Sequence, residues 1–151
     1  IFYLYTDSNG FQRGLIVAPV DQGDSIIWSN VDSLIGPIAE STWDGASNTD
    51  AIVNQTGETM SAAQLCKNYS GGGFSDWYLP SIDELNILNN NLFNINKTLT
   101  AIGGRQILIR SYYWSSTEYD RTTAMKYWMT IDAIGTYKSD GYVQTRAIRS
   151  F

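Results

Sequence analysis

The segment Pro80-Ser81-Ile82-Asp83-Glu84-Leu85 constrains the fold of this chain more than any other stretch. Ser81 and Glu84 stand three residues apart, the spacing at which a serine hydroxyl accepts from the N3 amide while a glutamate reaches back to the N-cap amide. Asp83 and Glu84 also lie at the positive end of the helix dipole. Leu85, Leu88, Leu92 and Ile95 then recur at helical spacing, which predicts a helix to about Asn94 with one face in the core. A helix therefore sits in mid-chain, and the rest of the fold has to wrap around it.

The flanks carry other periods. Residues 1–20 read as a β-hairpin: apolar Ile1–Tyr5, turn formers at Thr6-Asp7-Ser8-Asn9-Gly10, then Phe11 to Ala18 ending at Pro19. The stretch from Asp21 to Ser47 reads as ordered coil with one short strand candidate, Ser25–Ser29. Asn48 or Thr49 is expected to cap a short turn around Asp50–Asn54, and Thr59 a helix through Tyr69 that turns Ala62, Ala63, Cys66 and Tyr69 inward. After Gly103-Gly104 strands are expected at Ile107–Ile109, Tyr112–Ser116, Ala124–Ile131 and Gln144–Phe151. Hairpin, helices, then an antiparallel strand meander spell an α+β fold, and 151 residues are one domain's worth. Because Ile1–Tyr5 reads as the middle of a strand, the natural chain is expected to begin earlier and this domain, residues 1–151, to be its C-terminal part.

Composition narrows the chemistry. There is no histidine and one cysteine, Cys66, so a Ser-His-Asp triad, a Cys-His pair, a His- or Cys-rich zinc site and an intrachain disulfide are excluded. No apolar run approaches the roughly 20 residues that span a bilayer, so direct membrane insertion is not expected. Only 17% of residues are charged; serine, threonine and asparagine supply the polarity instead. Charge is also segregated, with eleven acids and two bases in residues 1–96 against four acids and eight bases in residues 97–151. The net charge of -5 and the lack of a dense basic stripe make nucleic acid a poor partner.

Several segments in order carry a resemblance: Gly14-Leu15-Ile16-Val17-Ala18-Pro19, Asn48 to Val53, Ala62-Ala63-Gln64-Leu65-Cys66, Phe74 to Leu85, Tyr112 to Tyr119, and the ending Arg146 to Phe151. Together they resemble the Legionella-collagen-like C-terminal domain family, also seen as the Fibrobacter-type major paralogous domain, over essentially the whole chain. The resemblance implies a C-type-lectin-like fold with paired terminal strands and two main helices. It also implies a bacterial protein, exposed at the cell surface or an appendage tip and tied to adhesion; one member class binds sulfated polysaccharide and forms trimers. The Glu-Pro-Asn, Gln-Pro-Asp and Trp-Asn-Asp signatures of calcium-dependent lectins do not occur, so no metal or other cofactor is expected.

The chain departs from its relatives between Asp120 and Thr145. If Met125, Tyr127, Met129 and Ile131 face inward, alternation turns Lys126, Trp128, Thr130 and Asp132 outward. An outward tryptophan between a lysine and an aspartate marks a binding surface, since indole stacks on a sugar ring while lysine meets an anion. Arg121, Thr122, Tyr137, Lys138, Asp140 and Tyr142 complete the expected ligand face of residues 119–142. The ligand is a glycan, sulfated in one reading, or a host or microbial surface protein. Clustering of these departures also fits a region diversified by a retroelement. Trp77, Trp114, Tyr78 and Tyr113 read as core, Trp28 and Trp43 as pins for the loop region, and Arg146 and Arg149 as structural. Two other readings compete: a structural or homo-oligomerisation module, and a carbohydrate-active enzyme using Glu118 and Asp120, about 7 Å apart on one strand face.

Overall fold

A computed structural model describes residues 1–151. The N-terminal hairpin pairs β1 (Tyr3–Thr6) with β2 (Gln12–Val17), and β6 (Ile148–Ser150) pairs with the other edge of β2. Its turn closes on Asp7, whose carboxylate accepts from the Asn9 and Phe11 amides, with Gly10 supplying the left-handed φ of +82°. A second antiparallel sheet has the order β3 (Tyr112–Glu118), β4 (Thr123–Trp128), β5 (Ala133–Tyr137).

Between the sheets in sequence lie α1 (Gly45–Val53), α2 (Ala62–Asn68), α3 (Ile82–Asn90) and α4 (Leu92–Ala101). The Ser81/Glu84 capping box opens α3 as its spacing predicts, but the helix stops at Asn90; Asn91, at φ -107° and ψ 9°, breaks the ladder before α4. Two other starts differ from expectation. Asp44 caps α1 by accepting from the Ser47 amide, and Ser61 caps α2 by accepting from the Gln64 amide. Asn48 and Thr49 lie buried inside α1, where Asn48 exchanges hydrogen bonds with the Ser41 backbone and Thr49 with the Leu79 backbone. Residues of the capping type here serve as long-range clamps.

The α+β fold thus has two separate three-stranded antiparallel sheets and four α-helices. This corrects the C-type-lectin-like expectation of two main helices with the terminal strands paired to each other: β1 and β6 flank β2 instead. The extra helices come from Asp44, which starts α1 well before the expected turn, and from the break at Asn91. The closing meander differs too. Ile107–Ile109 is loop, β4 ends at Trp128, and Ile134-Gly135, expected as a turn, lies in β5.

Strand alternation feeds two cores. Tyr78, Tyr113, Tyr127 and Ile148 join Leu85, Leu88, Leu92, Ile95 and Leu99 of α3 and α4. Their sequence neighbours Trp77, Leu79, Trp114 and Ala147 turn the other way to meet Trp28, Ile52, Ala62, Ala63 and Cys66. Burial of Cys66 pushes its thiol pKa up, leaving it a small apolar residue.

Candidate functional site

The register of the second sheet sets Tyr112 opposite Trp128, Trp114 opposite Lys126, and Lys126 opposite Ile134. Directly opposed residues share a face, so Tyr112, Lys126, Trp128 and Ile134 lie on the side away from α3. Tyr127 and Met125 point to the α3 core, as alternation requires. Alternation then lapses. The strand ends at Trp128, whose N–H donates to the Asp132 carbonyl, and the Ile131 N–H donates back to the Trp128 carbonyl. Thr130 takes a φ of +79° in this turn and donates its N–H to Asn89 Oδ1 at 2.8 Å. Ile131, expected inward, is consequently 70% exposed.

Trp128 is half-buried rather than fully outward. Its ring meets Tyr112 edge to face at 4.4 Å and 74°, and its Nε1 has no hydrogen-bond partner. Tyr112, Trp128, Ile131, Asp132 and Ile134 line a recess of about 350 Å³.

The two lysines of the expected face are buried: Lys126 lies on the outer side of the sheet as alternation requires, yet neither it nor Lys138 is open to solvent. Lys126 Nζ donates to Asp140 Oδ2 at 2.8 Å and sits 3.8 Å over the Tyr112 ring. Burial works against the Asp140 carboxylate, but Lys126 and the Tyr142 N–H outweigh it, and its pKa lies below the usual aspartate value. Lys138 Nζ donates to Glu118 Oε1 at 2.6 Å and to the Ser33 carbonyl at 2.9 Å, beneath the Trp28 ring. Glu118, with no side-chain exposure, also accepts from the Ile35 and Gly36 amides. It clamps the loop over residues 33–36. Asp120 lies exposed at the next turn, accepting from the Thr122 and Thr123 amides, and these bonds hold its pKa low. Glu118 and Asp120 therefore do not form the open carboxylate pair that glycoside hydrolysis uses.

What remains open on the face is aromatic. Tyr137 and Tyr142 are exposed, Tyr142 by 89%, and so are Tyr119, Arg121, Thr130 and Asp132; Thr122 is half-buried. Arg121 is the one base of residues 119–142 outside an ion pair. Thr122, Tyr137 and Lys138 line a second recess of about 390 Å³ with Asn30 and Asp32. Trp128 and Asp132 belong to the first recess, so the expected residues gather in two neighbourhoods.

Outside the face, Arg146 is fully buried, with Nε 2.6 Å from Asp21 and its other nitrogens on the Ala18 and Arg105 carbonyls. Arg149 forms a fork on Asp76 with two contacts of 2.7 Å. Trp28 does pin the loop region, donating Nε1 to the Ser115 carbonyl at 2.8 Å. Trp43 does not: the residue is 74% exposed, against the expectation. Recognising Asp44 as a cap three residues before Ser47 would have placed Trp43 outside the helix and free of the core.

A fimbrial protein from Bacteroides ovatus has a similar fold, with a TM-score of 0.61 and 14% identity over 91% of this chain. The chain spans 35% of that protein's length. No curated protein matches. The family model of the Lcl C-terminal domain matches residues 19–149, which takes in all four helices and the whole second sheet. By that match the chain belongs to the Lcl C-terminal domain family.

Proposed function

We propose that this is a non-catalytic adhesin-type recognition domain, displayed at a bacterial surface or appendage tip, that binds a protein partner through the face of residues 119–142. The observation that carries the choice of partner is the fate of the lysines. Lys126 and Lys138 are spent on Asp140 and Glu118, leaving Arg121 alone to meet an anion. Sulfated polysaccharide recognition draws on several free cations; this face offers tyrosines and aliphatics instead. Exposed tyrosines supply large contact area at low conformational-entropy cost, the composition favoured where proteins bind proteins. Family membership and the likeness to a protein described as fimbrial support the surface setting. Binding in this reading needs no calcium.

The exposed residues Tyr119, Arg121, Ile131, Tyr137 and Tyr142 sit in turns or at strand ends, where substitution costs the fold least. That placement supports the reading of a region diversified by a retroelement. Sequences of sibling genes test it: substitutions spread evenly along the chain, rather than gathered at these positions, remove the idea.

Arrays of host and bacterial surface proteins, with heparin and neutral glycans alongside, test the partner class. Protein ligands are expected to be captured by the parent and lost in a Tyr137→Ser/Tyr142→Ser variant of unchanged melting temperature. Capture of heparin alone, or protein capture indifferent to the double variant, overturns the reading. Self-association in sedimentation that disappears in the same variant would instead identify an oligomerisation module.

A further inference from the structure

A trough bordered by the loop that Glu118 clamps has no part in the face just described. One wall is the exposed side of α1, where Ser47, Asp50 and Asn54 recur at helical spacing. The other is the apolar loop of Leu34, Ile35, Pro37 and Ile38. Trp43 stands with them around a volume of about 720 Å³. From this geometry we propose a second binding site, for a neutral oligosaccharide.

Three features point to that ligand class. First, the walls differ in kind. A pyranose ring offers an apolar C–H face and a rim of hydroxyls, which match an indole with aliphatic neighbours on one side and hydroxyl, carboxylate and amide groups on the other. Second, Gln55 at the trough has a buried Oε1 without a hydrogen-bond donor, while its Nε2 is tied to Ser33 at 2.9 and 3.1 Å. An unpaired buried acceptor is costly, and because this oxygen has no surface open to the trough, a sugar hydroxyl pairs it only when the Gln55 amide turns outward. Third, the lining holds the carboxylates of Asp44 and Asp50 and no lysine or arginine, and the neighbouring Lys67 is taken up by its ion pair with Asp50, so a sulfated or uronic sugar finds no unpaired cation there.

The site is also pre-organised. Glu118 fixes the Ile35 and Gly36 amides of the loop wall at 3.0 and 2.8 Å. On either side of Trp43, the Thr42 carbonyl accepts from the Asp83 N–H and the Asp44 amide donates to Ser41 Oγ. The backbone is held while the indole stays free, which lowers the ordering cost of binding.

Tryptophan fluorescence reads the site directly, because Trp28, Trp77 and Trp114 are buried and Trp128 half-buried, leaving Trp43 as the ring open to solvent. The 151-residue domain is titrated separately with cellohexaose, xylohexaose and mannohexaose, with a heparin hexasaccharide for comparison. A saturable blue shift is expected with at least one neutral sugar. Trp43→Ala should weaken binding about tenfold or more, measured by calorimetry, while Trp128→Ala leaves it unchanged. Asn54→Arg, on the opposite wall and with no side-chain bond to lose, should weaken it as well. The proposal is overturned if none of the three neutral sugars binds at millimolar concentration, if Trp43→Ala binds like the parent, or if heparin binds more tightly. Because Trp43 and Asn54 lie outside residues 119–142, either site can fail without the other.

Discussion

Replacing Lys138 by methionine isolates what the buried ion pair contributes. The Lys138 and Glu118 side chains have relative exposures of 3% and 0%, so salt and water screen the pair little. Removing the ammonium leaves a carboxylate in the interior and also strips the Ser33 carbonyl of a donor. Breaking a buried pair from one side costs about 3–5 kcal/mol. Glu118 keeps the Ile35 and Gly36 amides, which places the expected loss at the lower end, about 3 kcal/mol. For a chain of this length that corresponds to a fall in Tm of roughly 6–12 °C. Urea denaturation at pH 7 should show a lower midpoint with an unchanged slope. Pairing the change with Glu118→Gln removes the stranded charge, and the double variant should recover about half of the loss. A Lys138→Met variant within 1 kcal/mol of the parent would refute the clamp. So would a double variant at least as unstable as the single one. Either result would return Lys138 to the list of groups free for a ligand.

Two further outcomes follow from local geometry. Thr130 is a β-branched residue held at φ +79°, so Thr130→Gly should stabilise the domain by about 0.5–1 kcal/mol once glycine's entropy cost is subtracted from the relieved strain; a lower urea midpoint would show that the turn is not strained. Glu84 has its carboxyl pKa raised, burial outweighing the bonds from the Ser81 N–H and the Tyr78 hydroxyl. A raised folded value means that Glu84 detracts from stability as pH climbs through it, and that this loss is absent below the unfolded value near 4.5. Glu84→Gln should therefore gain on the parent as pH rises from 4 towards 8 in urea titrations, and a difference that stays flat across that range contradicts the assignment.

Features legible in the sequence are those whose partners lie within one turn. The Ser81/Glu84 box needs only Ser81, Ile82, Asp83 and Glu84, and the hairpin turn needs only Asp7 through Phe11. Both form where the local pattern places them. Asn48 and Thr49 are not the caps that their type predicts, because the groups that make good caps also make good buried clamps; the distinction rests on the Ser41 backbone and Ser116 for Asn48, and on Leu79, 30 residues away, for Thr49. The turn after Trp128 escaped for a similar reason, since Asn89 of α3 anchors the Thr130 amide and lets the strand end there.

The candidate site divides along the same line. By itself the sequence determined the chemistry on offer: no histidine, one cysteine, a composition rich in serine, threonine and asparagine, and tyrosines and bases concentrated in residues 97–151. Tertiary structure decided which of those groups stay available. Glu118 lies 20 residues from Lys138, and Asp140 lies 14 from Lys126; once each pair closes in the interior, neither lysine can serve an external anion. Trp43 and Trp28 are both loop tryptophans, yet only Trp28 finds a carbonyl to accept its indole N–H, that of Ser115, and goes into the core. Desolvating a polar group is favourable only where a partner waits, and that partner is supplied by distant parts of the chain.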